Sequence, residues 1–179
     1  MGQMVSGPSQ YQIAMLGLDG AGKSSILEVL RDNEPPGVSD GPTVGFNVEK
    51  FYGVKPNGKK HVCTYWDVGG QEMTRKLWMV YVKRTDGLIL VVDATNEWRL
   101  DEMESGNVPD GIPIVLFLNK IDLPNALATE LILERLRLAK LHRPVEVIRC
   151  SAMTGEGLES FVDKFSSLII ESRKCNKKK

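Results

Sequence analysis

The sequence predicts an α/β domain in which a mixed six-stranded sheet is flanked by helices. Three observations carry this. Tyr11 to Leu16 reads as a strand that runs through a glycine-rich loop into a helix, Ser25 to Leu30, with good helix formers at helical spacing. Gly87 to Asp93 and Ile112 to Leu118 are near-continuous runs of β-branched residues and leucine, the pattern of parallel strands buried on both faces. Phe46 to Val54 and His61 to Trp66 flank the turn Pro56-Asn57-Gly58 and read as a β-hairpin, which supplies the antiparallel member.

Of the remaining elements, Val145 to Arg149 is a short final strand. Leu127 to Leu141 is leucine-rich and helical. Leu158, Phe161, Val162, Phe165, Leu168 and Ile169 recur with the period of an amphipathic helix, so those aromatics belong to the core. The link from Ala94 to Ile112 is broken by Gly106, Pro109 and Gly111, which leaves room for only a short helix, Trp98 to Ser105.

With 179 residues, 42% of them hydrophobic, the chain can bury one full core, and one domain is expected. Lys+Arg 23 and Asp+Glu 23 cancel, so no global basic field argues for nucleic acid. The stretch 171–179 nevertheless carries five cations (Arg173, Lys174, Lys177, Lys178, Lys179) against Glu171. The expected organisation is a flexible N-terminus at 1–10, a domain over 11–170 and a basic tail at 171–179. Three cysteines, Cys63, Cys150 and Cys175, form no Cys-x-x-Cys pair, which reads as a reduced, cytoplasmic chain without a disulfide framework or zinc site. No apolar run reaches the length of a membrane span, and no signal-peptide core is present.

The chemistry begins at Gly17-Leu18-Asp19-Gly20-Ala21-Gly22-Lys23-Ser24, which fits G-x-x-x-x-G-K-[ST] between a strand and a helix. Such a loop aims backbone N–H groups and the positive end of a helix dipole at one point, which suits a polyphosphate. Lys23 would reach the β- and γ-phosphates, and the Ser24 hydroxyl would hold Mg²⁺. The breaker-rich loop Asp32 to Pro42 leads to Thr43, a candidate second Mg²⁺ ligand. Asp67 closes an apolar strand, where a carboxylate holds Mg²⁺ through water. Gly69 and Gly70 allow close approach to a γ-phosphate, and Gln71 follows where a water-orienting amide belongs. Asn119-Lys120-Ile121-Asp122 stands at the carboxyl end of a buried strand, where open α/β sheets bind ligands. An aspartate there accepts N1–H and N2–H of guanine, donors that adenine lacks in that arrangement. Backbone in Cys150-Ser151-Ala152 could meet the guanine O6.

With these stretches in place, the chain resembles an Arf-family small GTPase across nearly its whole length. The resemblance rests on the loop Gly17 to Ser24, Pro42-Thr43-Val44-Gly45-Phe46-Asn47, Trp66-Asp67-Val68-Gly69-Gly70-Gln71, Asn119 to Asp122 and Cys150-Ser151-Ala152. The long hairpin and basic C-terminus are similar to the Arf-like 4 group. Three features depart from that group: a very short N-terminal extension without the family's amphipathic helix, a curtailed third helix, and a tight segment between Leu141 and Val145. The implied fold is the P-loop NTPase small G domain. The implied ligands are GTP or GDP with Mg²⁺, contacted by Asp19, Gly20, Ala21, Gly22, Lys23, Ser24, Ser25, Thr43, Gly70, Asn119, Lys120, Asp122, Ser151 and Ala152. Ser24, Thr43 and Asp67 would serve the metal, Gln71 and Lys23 catalysis, and Phe46, Trp66 and Tyr81 an effector patch.

The function implied is a slow GTP-hydrolysing switch, monomeric, served by an exchange factor, a GTPase-activating protein and effectors, in membrane trafficking or membrane-associated signalling. Met1-Gly2-Gln3-Met4-Val5-Ser6 matches the N-myristoylation pattern at Gly2, against the plainer reading of an ordinary terminus. Together with the tail it points to an anionic membrane surface, at the plasma membrane or an endomembrane; the basic tail also fits the nucleus. Two rivals differ in class. A GTP-binding module without hydrolysis is opposed by Ser24, Thr43, Asp67 and Gln71 standing together. An ATP-using P-loop kinase is opposed by Asn119-Lys120-x-Asp122.

Overall fold

The computed structural model describes residues 8–37, 41–54, 58–103, 111–136 and 145–176 of the chain. Among the described residues, twelve elements follow in order: β1 (Ser9–Leu16), α1 (Lys23–Asp32), β2 (Phe46–Val54), β3 (Lys60–Val68), α2 (Glu72–Arg75), α3 (Trp78–Val82), β4 (Gly87–Asp93), a 3-10 helix (Glu97–Glu102), β5 (Ile114–Asn119), α4 (Thr129–Arg135), β6 (Glu146–Arg149) and α5 (Phe161–Asn176). These strands form one sheet in the order β2-β3-β1-β4-β5-β6. Among them only the β2–β3 pair is antiparallel, so the expected mixed six-stranded sheet is present.

The apolar runs are continuous because the central strands feed two cores. Ile13 and Met15 of β1, Ile89 and Val91 of β4, and Val115 and Phe117 of β5 pack on one face with Ile26 of α1 and Phe161, Phe165 and Ile169 of α5. The alternate residues Ala14, Leu16, Leu88, Leu90, Leu116 and Leu118 meet Trp78, Val82, Leu100 and Ile132 on the other. A period of two puts successive side chains on opposite faces, so both registers must be apolar.

Several boundaries moved for local reasons. β5 begins at Ile114 rather than Ile112, because Pro113 has no N–H to give a ladder. α1 starts at Lys23 and stops where Asn33 turns left-handed (φ 55°) and donates to the Val29 carbonyl at 2.9 Å. The short helix expected over Trp98 to Ser105 is a 3-10 turn over Glu97–Glu102. Of the helix expected from Leu127 to Leu141, Thr129–Arg135 is helical, and 137–144 lies outside the described residues. The turn at Pro56-Asn57-Gly58 is likewise described only at Gly58. The sequence reading contained neither α2 nor α3.

The first and last described residues are also tied to the domain. β1 already begins at Ser9, and α5 continues to Asn176, past the expected domain limit at 170. Arg173, counted above as a tail cation, is committed to the fold. Its Nε donates to Asp86 Oδ1 at 2.7 Å, its Nη1 to the Gln10 carbonyl at 3.2 Å, and its guanidinium lies 4.9 Å from the centre of the Tyr11 ring. Lys177 to Lys179 and Gly2 lie outside the described residues. Among the described residues, no helix is long and apolar enough to cross a membrane.

Candidate active site

The loop from Gly17 to Ser24 leaves β1 and turns into α1 beside the carboxyl ends of β3 and β4. At Gly22 the backbone is left-handed (φ 91°), and a Cβ there would stand 2.2 Å from Asn119 Nδ2. Only glycine meets both demands. Lys23 follows as the first residue of α1 and is 5% exposed. Its ammonium donates to the Gly17 and Leu18 carbonyls at 2.9 and 3.2 Å, so it lies folded over the loop. Burial pushes its pKa down, and the nearby Asp67 and Asp19 carboxylates pull the other way.

Three oxygens from distant stretches converge beside Lys23. Ser24 Oγ donates to Asp67 Oδ2 at 2.5 Å and lies 3.0 Å from Thr43 Oγ1. Asp67 is fully buried in β3, and among the described residues its second oxygen, Oδ1, has no hydrogen-bond partner. A buried carboxylate oxygen left unpartnered is costly. A hard cation satisfies such an oxygen and accepts hydroxyl and water ligands alongside it, so Ser24, Thr43 and Asp67 fit Mg²⁺.

The stretch after β3 folds back on the loop. Gly69 N–H donates to the Gly45 carbonyl at 2.8 Å, tying the stretch after β3 to the one before β2. A Cβ at Gly70 would lie 2.2 Å from the Asp19 nitrogen, so a larger residue would force the two stretches apart. Gln71 caps α2; its carbonyl accepts the Thr74 and Arg75 N–H groups, and the residue is exposed. Gly20 is exposed, Ala21 is buried, and Ser25 is half-buried in the first turn of α1.

The geometry adds a cluster that the sequence reading missed. Arg99, from the 3-10 helix, donates to Asp19 Oδ1 at 2.7 Å and to the Asp19 carbonyl at 2.9 Å. Arg75, from α2, donates to the Gly70 carbonyl at 2.8 Å and to Glu102 at 3.0 Å, with Asp19 Oδ1 3.8 Å away. The Arg99 hydrogen bond holds the Asp19 carboxyl below the usual carboxylate range, against a smaller opposing effect of burial. Asp19, which the resemblance places among the nucleotide contacts, turns its carboxylate to two guanidinium groups. The Arg99–Glu102 spacing was visible, but its reach across eighty residues to Asp19 was not.

At the other end, β5 delivers Asn119 opposite Asp93 of β4. Asn119 is a cross-brace: its Nδ2 donates to the Ala21 carbonyl at 2.9 Å and its Oδ1 accepts the Ala152 N–H at 3.0 Å. It therefore links the phosphate loop to the loop after β6. Lys120 has φ 69° and pairs with Asp93 Oδ2 at 2.7 Å, while Thr95 donates to Oδ1 of the same carboxylate. Burial raises the Asp93 pKa, but these partners outweigh it and hold the group ionised below its ordinary value. Asp122 is exposed, and Ser151 is buried with its Oγ accepting the Thr154 N–H.

Phe46, Trp66 and Tyr81 form one cluster, with ring centroids 5.4 to 6.0 Å apart. Trp66 Nε1 donates to Gln12 Oε1 at 2.7 Å. Val44, Met73, Leu77 and Val80 are exposed in the neighbouring stretches.

A family model described as "Arf: ADP-ribosylation factor family" matches residues 1–169. Human ADP-ribosylation factor-like protein 4C is 39% identical over 191 aligned positions that cover 100% of this chain and 98% of the relative. Human ADP-ribosylation factor-like protein 4A is 36% identical over 173, covering 92% and 86%. Among solved structures, the Arl6 BBS3 small GTPase from Trypanosoma brucei, with bound nucleotide analogue GppNp, superposes with a TM-score of 0.71 at 27% identity over 92% of this chain and 99% of that one.

Proposed function

The chain belongs to the ADP-ribosylation factor family of small GTPases, and from that premise we propose that it is a magnesium-dependent switch that recruits effectors when GTP is bound. The observation that carries the metal assignment is the convergence of Ser24, Thr43 and Asp67 with Asp67 Oδ1 unpartnered. Magnesium bound there would offset charge on the phosphate oxygens. Around it, Lys23 would turn from the loop carbonyls to the phosphates, with the N–H groups of Gly20 to Ser25 as the cradle. Gly70 would approach the γ-phosphate, and Gln71 would orient the attacking water. Asp122 would read guanine, with Lys120 against the base and Asn119, Ser151 and Ala152 holding the loops in register.

Because Thr43 and Gly70 belong to loops joined at Gly45 and Gly69, loss of the γ-phosphate would release both together. The Phe46–Trp66–Tyr81 cluster lies between those loops and would carry that change to effectors. An exchange factor and a GTPase-activating protein would set the cycle. The acylation pattern at Gly2 and the basic C-terminus support work at an anionic membrane surface, in trafficking or signalling. A single myristoyl chain binds weakly, with a constant of about 10⁴ M⁻¹, so a second contact is required.

The decisive experiment is calorimetric titration with GDP, GTP and ATP, with magnesium and with EDTA, followed by single-turnover phosphate release. Guanine selectivity that weakens with EDTA, and slow release of phosphate, are expected. Equal binding of ATP would overturn the base assignment, and binding without any turnover would leave the non-hydrolysing module as the reading.

A further inference from the structure

β6 forms the edge of the sheet farthest from the hairpin. Between β6 and the first turns of α5 lies a cavity of about 180 Å³. Its floor is apolar: Ile148 faces it from β6, and Phe161 and Phe165 face it from α5 with their rings stacked 5.2 Å apart. Both phenylalanines are buried. Its mouth is charged, with Glu146, Glu159 and Lys164 all exposed. Among the described residues none of these three takes part in an ion pair, so two carboxylates and one ammonium stand over an apolar hollow.

The cavity also backs onto the proposed base site. Its Gly157 belongs to the loop joining β6 to α5, and a Cβ there would collide with the Arg149 carbonyl. In the same loop the Ser151 N–H donates to the Glu156 carbonyl at 3.0 Å, and the Gly155 N–H to the Ser151 carbonyl at 2.9 Å. The next amide, that of Ala152, donates to Asn119. Phe161 packs on Phe117 of β5, two residues before Asn119, with ring centroids 4.6 Å apart. One wall of the cavity is therefore the reverse side of the loop that carries Ser151 and Ala152.

We propose that this cavity is a regulatory site for a small apolar amine, whose body fills the hollow and whose ammonium meets Glu146 and Glu159. An apolar cavity of about 150 Å³ takes up a benzene-sized molecule, so a six-membered ring fits here. A ring also suits a floor of two phenylalanines. The excess of one carboxylate at the mouth selects a cation over a neutral or anionic molecule of the same shape. An occupied cavity holds the loop against β6, in the arrangement that keeps Ser151 and Ala152 in place. Amine and nucleotide then favour one state of the loop, and each tightens the other. That coupling rests on the base-site assignment above; the binding of the amine does not.

The test uses benzylamine as the probe, with benzyl alcohol and benzoate as its neutral and anionic counterparts, on the full chain in the presence of GDP. Backbone amide resonances should shift at Ile148, Gly155 and Gly157 with benzylamine, with a dissociation constant of about 1 mM. Benzyl alcohol should bind about tenfold more weakly, and benzoate more weakly still. Glu146→Gln/Glu159→Gln, two isosteric changes at exposed positions, should bind benzylamine no better than benzyl alcohol, with an unchanged melting temperature. Benzylamine at a concentration that saturates wild type should slow the release of a fluorescent GDP by about fivefold, and should not slow it from the double variant. Equal affinity for the three probes, or shifts confined to the phosphate loop, would overturn the site. Shifts at the cavity with unaltered GDP release would overturn its regulatory role. If the chain takes up no GDP while the cavity shifts persist, the nucleotide reading falls and the amine site stands.

Discussion

Asp19 and Arg99 are eighty residues apart in the chain and 2.7 Å apart at the mouth of the phosphate loop. The contact joins the loop to the 3-10 helix, and Arg75 extends it to α2 through Gly70 and Glu102. Arg99→Ala is expected to lower the melting temperature of the GDP-bound protein at neutral pH by about 1–3 °C, the range of one partly exposed ion pair in a domain of this size. Asp19 has a folded pKa below its ordinary 3.8, so its contribution is present above that value and is lost as pH falls through the lower folded pKa. The difference between wild type and Arg99→Ala should therefore persist down to about pH 4 and close below it. A difference that closes between pH 6 and 8 would assign the effect to another group.

Both arginines near the phosphate loop are held by Asp19, Glu102 and the Gly70 carbonyl. Neither is free to act as an arginine finger in cis. Intrinsic GTP hydrolysis should be negligible and should rise by about 10³–10⁵-fold with an activating protein that supplies an arginine. Gln71→Leu should remain GTP-loaded even with that partner. Rapid hydrolysis by the isolated wild-type chain, measured as phosphate release, would contradict this.

At the proposed base site, Asp122→Asn would replace an acceptor by a donor toward the guanine 2-position. Loss of a charged hydrogen-bond partner costs about 1.5–3 kcal/mol, so GTP affinity should fall tenfold or more while affinity for the xanthine nucleotide rises. Unchanged GTP binding in a competition assay would remove Asp122 from the base site.

The Ser24–Thr43–Asp67 cluster predicts that nucleotide release depends on magnesium. EDTA should accelerate release of a fluorescent GDP from wild type, and accelerate it much less from Ser24→Ala, which already lacks one ligand. Equal acceleration of both would separate Ser24 from the metal.

Thiol chemistry offers a check of the core. Cys63 and Cys150 are buried, and burial pushes the Cys150 thiol up to about 12; Cys175 is exposed. One thiol should react with an aromatic disulfide reagent in the native protein and three after denaturation. Cys175→Ser should abolish the native reaction. A fast second thiol would show that β3 or the loop after β6 opens readily.

The fold class was written locally. A strand, a glycine loop and a helix in succession, and two runs that stay apolar at every position, are enough to require a parallel sheet covered on both faces. The phosphate loop, Asp67, Gln71 and Asn119-Lys120-x-Asp122 were legible for the same reason: each is a short string whose chemistry depends on its immediate neighbours. What tertiary structure decided were the partnerships between strings. Asn119 is recognisable in sequence, but that its amide braces Ala21 and Ala152 follows from strand order. Arg75 and Arg99 carry no local signal of their role, because a guanidinium finds its carboxylate by position in space. α2 and α3 are too short to be stable alone; α3 exists because Trp78 and Val82 enter the core beneath the sheet. The end of the chain shows the same division. Composition revealed a cluster of cations, but only packing could show that Arg173 serves Asp86 and Tyr11 while Lys174 remains exposed.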